Sequence, residues 1–562
     1  MIWEDSMLFH PLRNQDGIAM IIALMIMLML TIIGLGIVKS ANDEVSIAGN
    51  ELNEARAFYT AEAGLEKASS VIQAHFDATH VPPSSFPSGT LLFNGIGCGY
   101  SIVAESSATR TITKTSLAGL KALIRPYHIE STACDSGHST AVTLEQHFEV
   151  DFVPIFQFSV FYENDLEIAP GPSMLLLGRV HSNGDLYLQS NISLQINSYL
   201  TAYGDIYHGR KPGSGQPTGT GDVQIMGTDG LYHSMKDGSD WLDASDAHWF
   251  DSGSARWGGR VQDEAFGQER LNIPLQNSTD SAHKLIERAS AGGGNADSYE
   301  NKSTFKVIDG VAYSLTGTVW TNVTAALTAS GAIVQTTFHD KREGVDVTVS
   351  DIDMTKFNAS GYAPSNGIVY ISDQRSGLRG ARIYNAASIG RPLTIASENP
   401  VYTKGNVNTT TKQPMAIIAD ALTILSGSWD DAAAKAASSD KTVRVAANTA
   451  ANFCFISGNT ETGAGGAGYN GGLENLPRFL EDWTGKTFTY RGSMVNLWYS
   501  QEATGIWSGS YYTPPTRDWA YDTALDDIAN MPPGTPMVRA FIRFAWKQKD
   551  VGFKPSEFSS TP

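Results

Sequence analysis

The sequence predicts an α+β fold: one long N-terminal helix, then a small antiparallel sheet, then a large, mainly-β region. Three observations predict it. Ile18 to Val38 is an uncharged run of 21 residues with Thr31 as its one polar side chain, and it passes without proline into an amphipathic pattern. From Gly89 to Phe156, runs rich in β-branched and aromatic residues alternate with polar loops. Beyond Gln157, short apolar strands start about 8 to 15 residues apart, with Gly, Asn, Ser or Asp at many corners. At 562 residues the chain exceeds what one core usually holds, so two or more domains are expected.

The helix comes first. Ile18 to Val38 would span roughly 30 Å, about the thickness of a bilayer's hydrocarbon layer. A secretory signal peptide has a basic start, a shorter apolar core and a small-residue exit, none of which is present. The helical pattern continues from Lys39 to about His75. Val45, Ala48, Leu52, Ala55, Tyr59, Glu62 and Leu65 recur at three and four, a mainly apolar stripe suited to lying on the chain's own domain. Gly49 and Gly64 weaken the helix but permit close packing. The run from His80 to Pro87 ends it, because paired prolines cannot continue a helix.

Gly17 followed by IAMIIALMIMLMLTIIGLGIV, then KSANDEVSIAGNELNEARAFYTAEAGLEKA, resembles the start of a type IV prepilin. It is most similar to the PilX-type minor pilins, in which a comparable AGN…ARAF…AEAGL stretch follows the apolar helix. The resemblance covers about the first 70 residues. It implies a leader over 1–17, cut after Gly17 by a prepilin peptidase, and methylation of the new amino terminus on Ile18. It also implies a transmembrane and stalk helix over 18–80, held in the inner membrane before assembly and packed against other minor and major pilins afterwards. The plain alternative is a single-pass anchor that is never processed.

Two positions depart from the family pattern. Most pilins carry glutamate at the fifth mature position, where this chain has Ile22. In the family that carboxylate is held to meet the terminal amine of a neighbouring subunit, a pairing that a buried charge requires. A subunit with Ile22 has less need of a predecessor, a trait shared by tip or initiating subunits, including the largest pseudopilin of type II secretion. The leader departs as well: Glu4, Asp5 and Asp16 outnumber Arg13 where family leaders are usually basic, and a start at Met7 would drop two acids.

The segment 89–157 is expected to form the pilin-like head, with CGYSIVAES, KALIRPYHIESTAC and STAVTLEQHFEVDFV as strands. Cys98 and Cys134 fall within it and suit a disulfide in an oxidising periplasm, leaving Cys454 as a small buried hydrophobe. The segment 158–562 is the distal domain. GRVHSNGDLYLQS and LTAYGDIYHGR repeat Gly-Asp-(Leu/Ile)-Tyr, with Asp185 and Asp205 20 residues apart, a spacing compatible with one coil of a parallel β-helix. That architecture is favoured over a sandwich. Glu474 to Trp483 reads as a short helix, and Met537 to Trp546 as a last strand returning to this body.

Few residues suggest chemistry. Asp237, Asp240, Asp243 and Asp246 lie in an acidic stretch able to supply oxygens to calcium, without the spacing of an EF-hand; a solvated acidic loop is the alternative. Gly463 to Gly468 satisfies GxGxxG, but Tyr469-Asn-Gly-Gly follows where a helix should open, so a dinucleotide cofactor is not expected. His181 sits near Asp185 without a nucleophile elbow and reads as a turn residue. Arg478, Arg491 and Arg517 have enough aromatic neighbours to stack upon, which suits a sealed fold end better than a binding face. No catalytic site is found. A net charge of −18 argues against a nucleic-acid partner. The favoured expectation is a minor pilin, with its bulk in the periplasm and then at the cell surface, that primes or joins a filament tip. There it would display a β domain for adhesion to a surface or glycan ligand. A type II secretion tip pseudopilin and a membrane-tethered β-helix enzyme acting on polysaccharide are the alternatives.

Overall fold

The computed structural model describes residues 16–549, apart from 80–81, 94, 135–140, 278, 437–439 and 464–467. The stretch 1–15 and most of Gly463 to Gly468 therefore lie outside the described residues.

Helix α1 (Asp16–Ala78) is continuous for 63 residues. No proline interrupts it, so it extends about 95 Å at the usual rise. Its two halves differ. Every large apolar side chain from Ile18 to Leu52 is more than half exposed, whereas Ala57, Ala61, Leu65, Ala68, Ile72 and Phe76 are buried on the head. The expected stripe was correct in period and partly right in facing: alongside the head, Leu65 is buried and Glu62 half-buried, whereas Ala55 and Tyr59 are exposed. Val45 and Leu52 lie on the half that does not meet the head, while the docked face alternates small residues (Ala57, Ala61, Gly64 and Ala68) with Leu65, Ile72 and Phe76, which lets the helix lie close to a sheet. At Gly64 the approach is closest: a Cβ there would collide with Ser131 Oγ and Cys98 Sγ. Gly49 has nothing near it.

The head sheet is antiparallel. It contains β1 (Gly89–Phe93), β2 (Ile96–Ala104), β3 (Ala108–Thr111), β4 (Lys121–Cys134) and β5 (Ala141–Pro154). The order is β1-β2-β4-β5, with β3 on β4. Alternate residues of β4 and β5, among them Tyr127, Ile129, Leu144 and Phe148, turn inward against α1. The head is not confined to 89–157. The strand Met537–Arg543 pairs along the free edge of β5, Met537 opposite Pro154 and Arg543 opposite Phe148, and Lys547–Lys549 continues that pairing. Met537–Arg543 thus returns to the head and not to the body. The body is an insertion between β5 and this final strand, which sequence order conceals because the two partners lie almost 400 residues apart.

Arg539 fixes the arrangement. Its guanidinium donates to the Phe76 carbonyl at the end of α1 and to the Asp77 carboxylate, while its amide donates to Asn272 O at 2.8 Å. Arg543 adds an ion pair to Glu66 at 2.7 Å. One strand therefore ties helix, sheet and body together. Between head and body lies a shared core: Ala122, Ile124, Val153 and Val538 on the outer face of the sheet pack with body residues such as Phe158, Tyr370 and Ile418.

The body is built of stacked parallel rungs. Leu166, Leu186 and Ile206 are register partners, so the 20-residue spacing of the Gly-Asp-(Leu/Ile)-Tyr motif is the step from one rung to the next. Asp185 accepts the Asp205 amide at 3.0 Å and the Tyr187 hydroxyl at 3.0 Å, and Tyr187 stacks on Tyr207 at 5.5 Å. The longest wall has 12 strands, and their order is not the chain order. The chain enters mid-wall at Phe158–Tyr162 and steps outward through Arg179–Ser182 and Leu200–Ala202 to Val261–Gln262. It then crosses to the neighbourhood of the opposite end at Phe305–Ile308 and steps back, until Met494–Asn496 pairs parallel with Phe158–Tyr162. Antiparallel hairpins, Val311–Thr316 with Val319–Asn322 and Ile333–Asp340 with Val345–Asp353, stand at the far ends of two walls. They blunt edges on which another chain would otherwise pair.

Two smaller expectations fail. Residues 474–483 form no helix: a single turn, Leu473–Asn475, leads into strand Pro477–Phe479, because Glu474 and its neighbours are buried between rungs. No disulfide joins Cys98 and Cys134. Cys98 lies opposite Ala133, so Cys134, one residue on, points to the other face of the sheet. Cys454 is buried among apolar side chains, as a small hydrophobe would be.

Candidate functional site

The one long surface prepared for burial elsewhere is the free half of α1. It is the single helix, among the described residues, long and apolar enough to cross a membrane, and its most apolar stretch is wholly uncovered. Gly17 and Ile18 lie in its first turns, and among the described residues nothing lies within 4 Å of where a Cβ on Gly17 would stand. Ile22 is 51% exposed on the same bare cylinder, and being an isoleucine it presents no carboxylate at this position. Among the described residues the helix is held at its lower half, by the face around Gly64 and by Arg539 and Arg543. Such a part can insert among other helices while its head remains outside.

The remaining sequence candidates are placed elsewhere, and the structure does not gather them. Asp237 pairs with Arg256 at 3.1 Å, Asp243 accepts the His208 amide at 2.8 Å, and Asp246 accepts the His248 amide at 2.7 Å. Asp237 and Asp240 are partners in a short hairpin. These four aspartates are engaged locally and are not among the clusters of three or more metal-type ligands that lie within 4.8 Å of one another in the described residues. His181 is fully buried and bonded to Thr201 Oγ1 at 2.8 Å and Asn183 Oδ1 at 3.0 Å, and burial pushes its ring down to about 4, so it stays neutral. It ties one rung to the next inside the body, and its neighbour Asp185 is engaged with Tyr187. Arg517 lies 5.3 Å from the Trp519 ring, the expected stacking. Arg478 is instead buried against Glu343 at 2.5 Å, and Arg491 pairs with Asp518 at 2.9 Å.

Sequence reasoning missed three buried acids. Asp151, Glu474 and Glu481 are each pushed up to about 7, chiefly by burial. Glu474 accepts the Ala169 amide and Glu481 accepts from Ser426, whereas neither oxygen of Asp151 has a partner among the described residues. It also missed Arg539. Nothing in the order of residues marks any of these, since their environments come from strands remote in the chain.

Comparison with known proteins bears on the anchor. No curated protein matches the chain. The crystal structure of the competence-associated pilin ComZ from Thermus thermophilus aligns over 88% of this chain and 97% of its own, at 8% identity and a TM-score of 0.26. Residues 16–66 match the family model described as PilX N-terminal, which spans the bare half of α1 and the start of its docked half. Through that segment, an uncovered apolar helix leading into a packed head, the N-terminal region of the chain is similar to that of PilX-type, type IV pilin-like minor pilins.

Proposed function

We propose that this protein is a tip subunit of a type IV pilus-like filament, anchored by α1 in the inner membrane and displaying its β body outward for contact with a surface or glycan ligand. The observation that carries this reading is Ile22. A buried glutamate at that position needs an amine from another subunit, whereas an isoleucine in an apolar helix bundle needs no partner. A subunit of this kind can stand first. The body supports the same place, because an insertion of this size on the head has room at a filament end and little along a packed shaft. Maturation by a prepilin peptidase, with cleavage after Gly17 and methylation of Ile18, belongs to the same proposal.

Two measurements test it. The intact mass of the cell-derived protein is expected to correspond to a chain starting at N-methylated Ile18, and to revert to the longer form in cells without the peptidase. Ile22→Glu is expected to reduce the number of filaments per cell and to change which pilins co-purify. Normal piliation with unchanged partners would sink the tip assignment while leaving the pilin-like anchor intact.

A further inference from the structure

The outer face of the head sheet carries a cluster that none of the preceding function uses. Tyr127 and Ile129 turn toward α1, so His128 and Glu130 project from the opposite face of β4. On β5, His147 lies directly opposite His128, and Glu145 directly opposite Glu130. Glu105, just past the end of β2, is held beside them by its amide, which donates to Pro126 O at 2.9 Å. The imidazole centroids are 5.2 Å apart. His147 Nδ1 lies 3.6 Å from Glu105 Oε1, and His128 Nε2 lies 3.6 Å from Glu145 Oε2.

We propose that Glu105, His128 and His147 bind a zinc ion. Their ligand atoms already lie within 4.8 Å of one another. Donors held about 2.0–2.2 Å from a tetrahedral zinc stand roughly 3.3–3.6 Å apart, so small side-chain rotations close the site. Two imidazoles and one carboxylate suit zinc, whereas calcium requires six or more oxygens. The three ligands come from neighbouring strands, which fixes their spacing, and His147 and Glu105 are open to solvent, which leaves a fourth position for water or an outside ligand.

A second triad, His128, Glu130 and Glu145, satisfies the same distance test. It is the weaker candidate because its carboxylates are already neutralised: Lys547 pairs with Glu145 at 2.6 Å and Lys549 with Glu130 at 2.9 Å. Zinc would have to displace both lysines. Glu105 is paired with His147 itself, a fellow ligand, so metal binding there breaks no lysine contact.

The test uses the full chain in detergent, stripped with a chelator and titrated with zinc chloride by calorimetry, folding being checked by circular dichroism. One equivalent is expected to bind. His128→Ala, His147→Ala and Glu105→Gln should each weaken binding by about tenfold or more, and Glu130→Gln by less than about twofold. Cobalt substituted for zinc should give the intense visible bands of a tetrahedral site, lost in His147→Ala. The proposal is overturned if the folded wild type takes up no zinc or if the histidine variants bind as well as wild type. It is also overturned if Glu130→Gln weakens binding as much as Glu105→Gln does, which would move the metal to the other triad.

Discussion

Asp151 sits on the outer face of β5 between Ile124 and Ala540, fully buried, with the like charge of Glu149 acting on it. Its carboxyl is pushed up to about 7, mainly by burial, from an ordinary value near 3.8. The unfolded chain therefore releases this proton near pH 4 and the folded chain near pH 7. Between those values the fold retains a proton that the unfolded chain has lost, so Asp151 lowers stability as pH rises from about 4 to about 7, and no further above that. Glu474 and Glu481 act with the same sign. Asp151→Asn keeps the neutral form at every pH and is expected to stabilise the protein by about 1–3 kcal/mol at pH 8 and to do nothing at pH 4. Urea unfolding at the two pH values measures this, and an equal effect at both would refute the assignment. The sequence shows an acid in an alternating strand, which by itself suggests the solvent face. That face is covered here by the body, a fact set by strands far away in the chain.

The docking of α1 on the sheet is the element on which the anchor depends. Its period of three and four was legible, because the helix repeats its faces regardless of what it meets. Its facing was legible only in part. Leu65 of the expected stripe is buried, but the sheet meets the neighbouring face with Ala57, Ala61, Gly64 and Ala68 and leaves Tyr59 exposed, since small side chains bring the helix axis nearer. Gly64→Ala is therefore expected to cost about 1–3 kcal/mol through overpacking against Ser131 and Cys98. Gly49→Ala, with nothing within 4 Å, should be neutral or stabilise the helix by up to about 1 kcal/mol. Thermal melts of the two variants side by side make the comparison, and equal melting temperatures would show that the helix does not lie as closely as described. The β4 and β5 strands were legible for the opposite reason: alternation is local, and one face is buried by α1 along most of their length.

For the whole molecule, the 20-residue rung was legible because two copies of Gly-Asp-(Leu/Ile)-Tyr keep the same Asp and Tyr in the same turn. The jump from Val261–Gln262 to Phe305–Ile308, and the return of Met537–Arg543 to the head, were not, because strand order is decided by non-local pairing that leaves no periodic trace. The head's closure by that last strand predicts that residues 50–157 alone will be poorly folded, with the edge of β5 exposed, and that fusing 537–549 to them through a flexible linker will restore a folded domain. Dispersed amide signals in the fused fragment alone are the expected result, and a well-dispersed spectrum from 50–157 by itself would count against it. The same closure sets an order of events during synthesis. The anchor emerges first and the strand that completes its head emerges last, after the whole body has been made. A chain that terminates early keeps its membrane helix yet lacks Arg539 and Arg543, so it bears an open sheet edge and a loosely held helix. A copy lacking that strand therefore differs from one that has it in the very helix whose upper half stands bare.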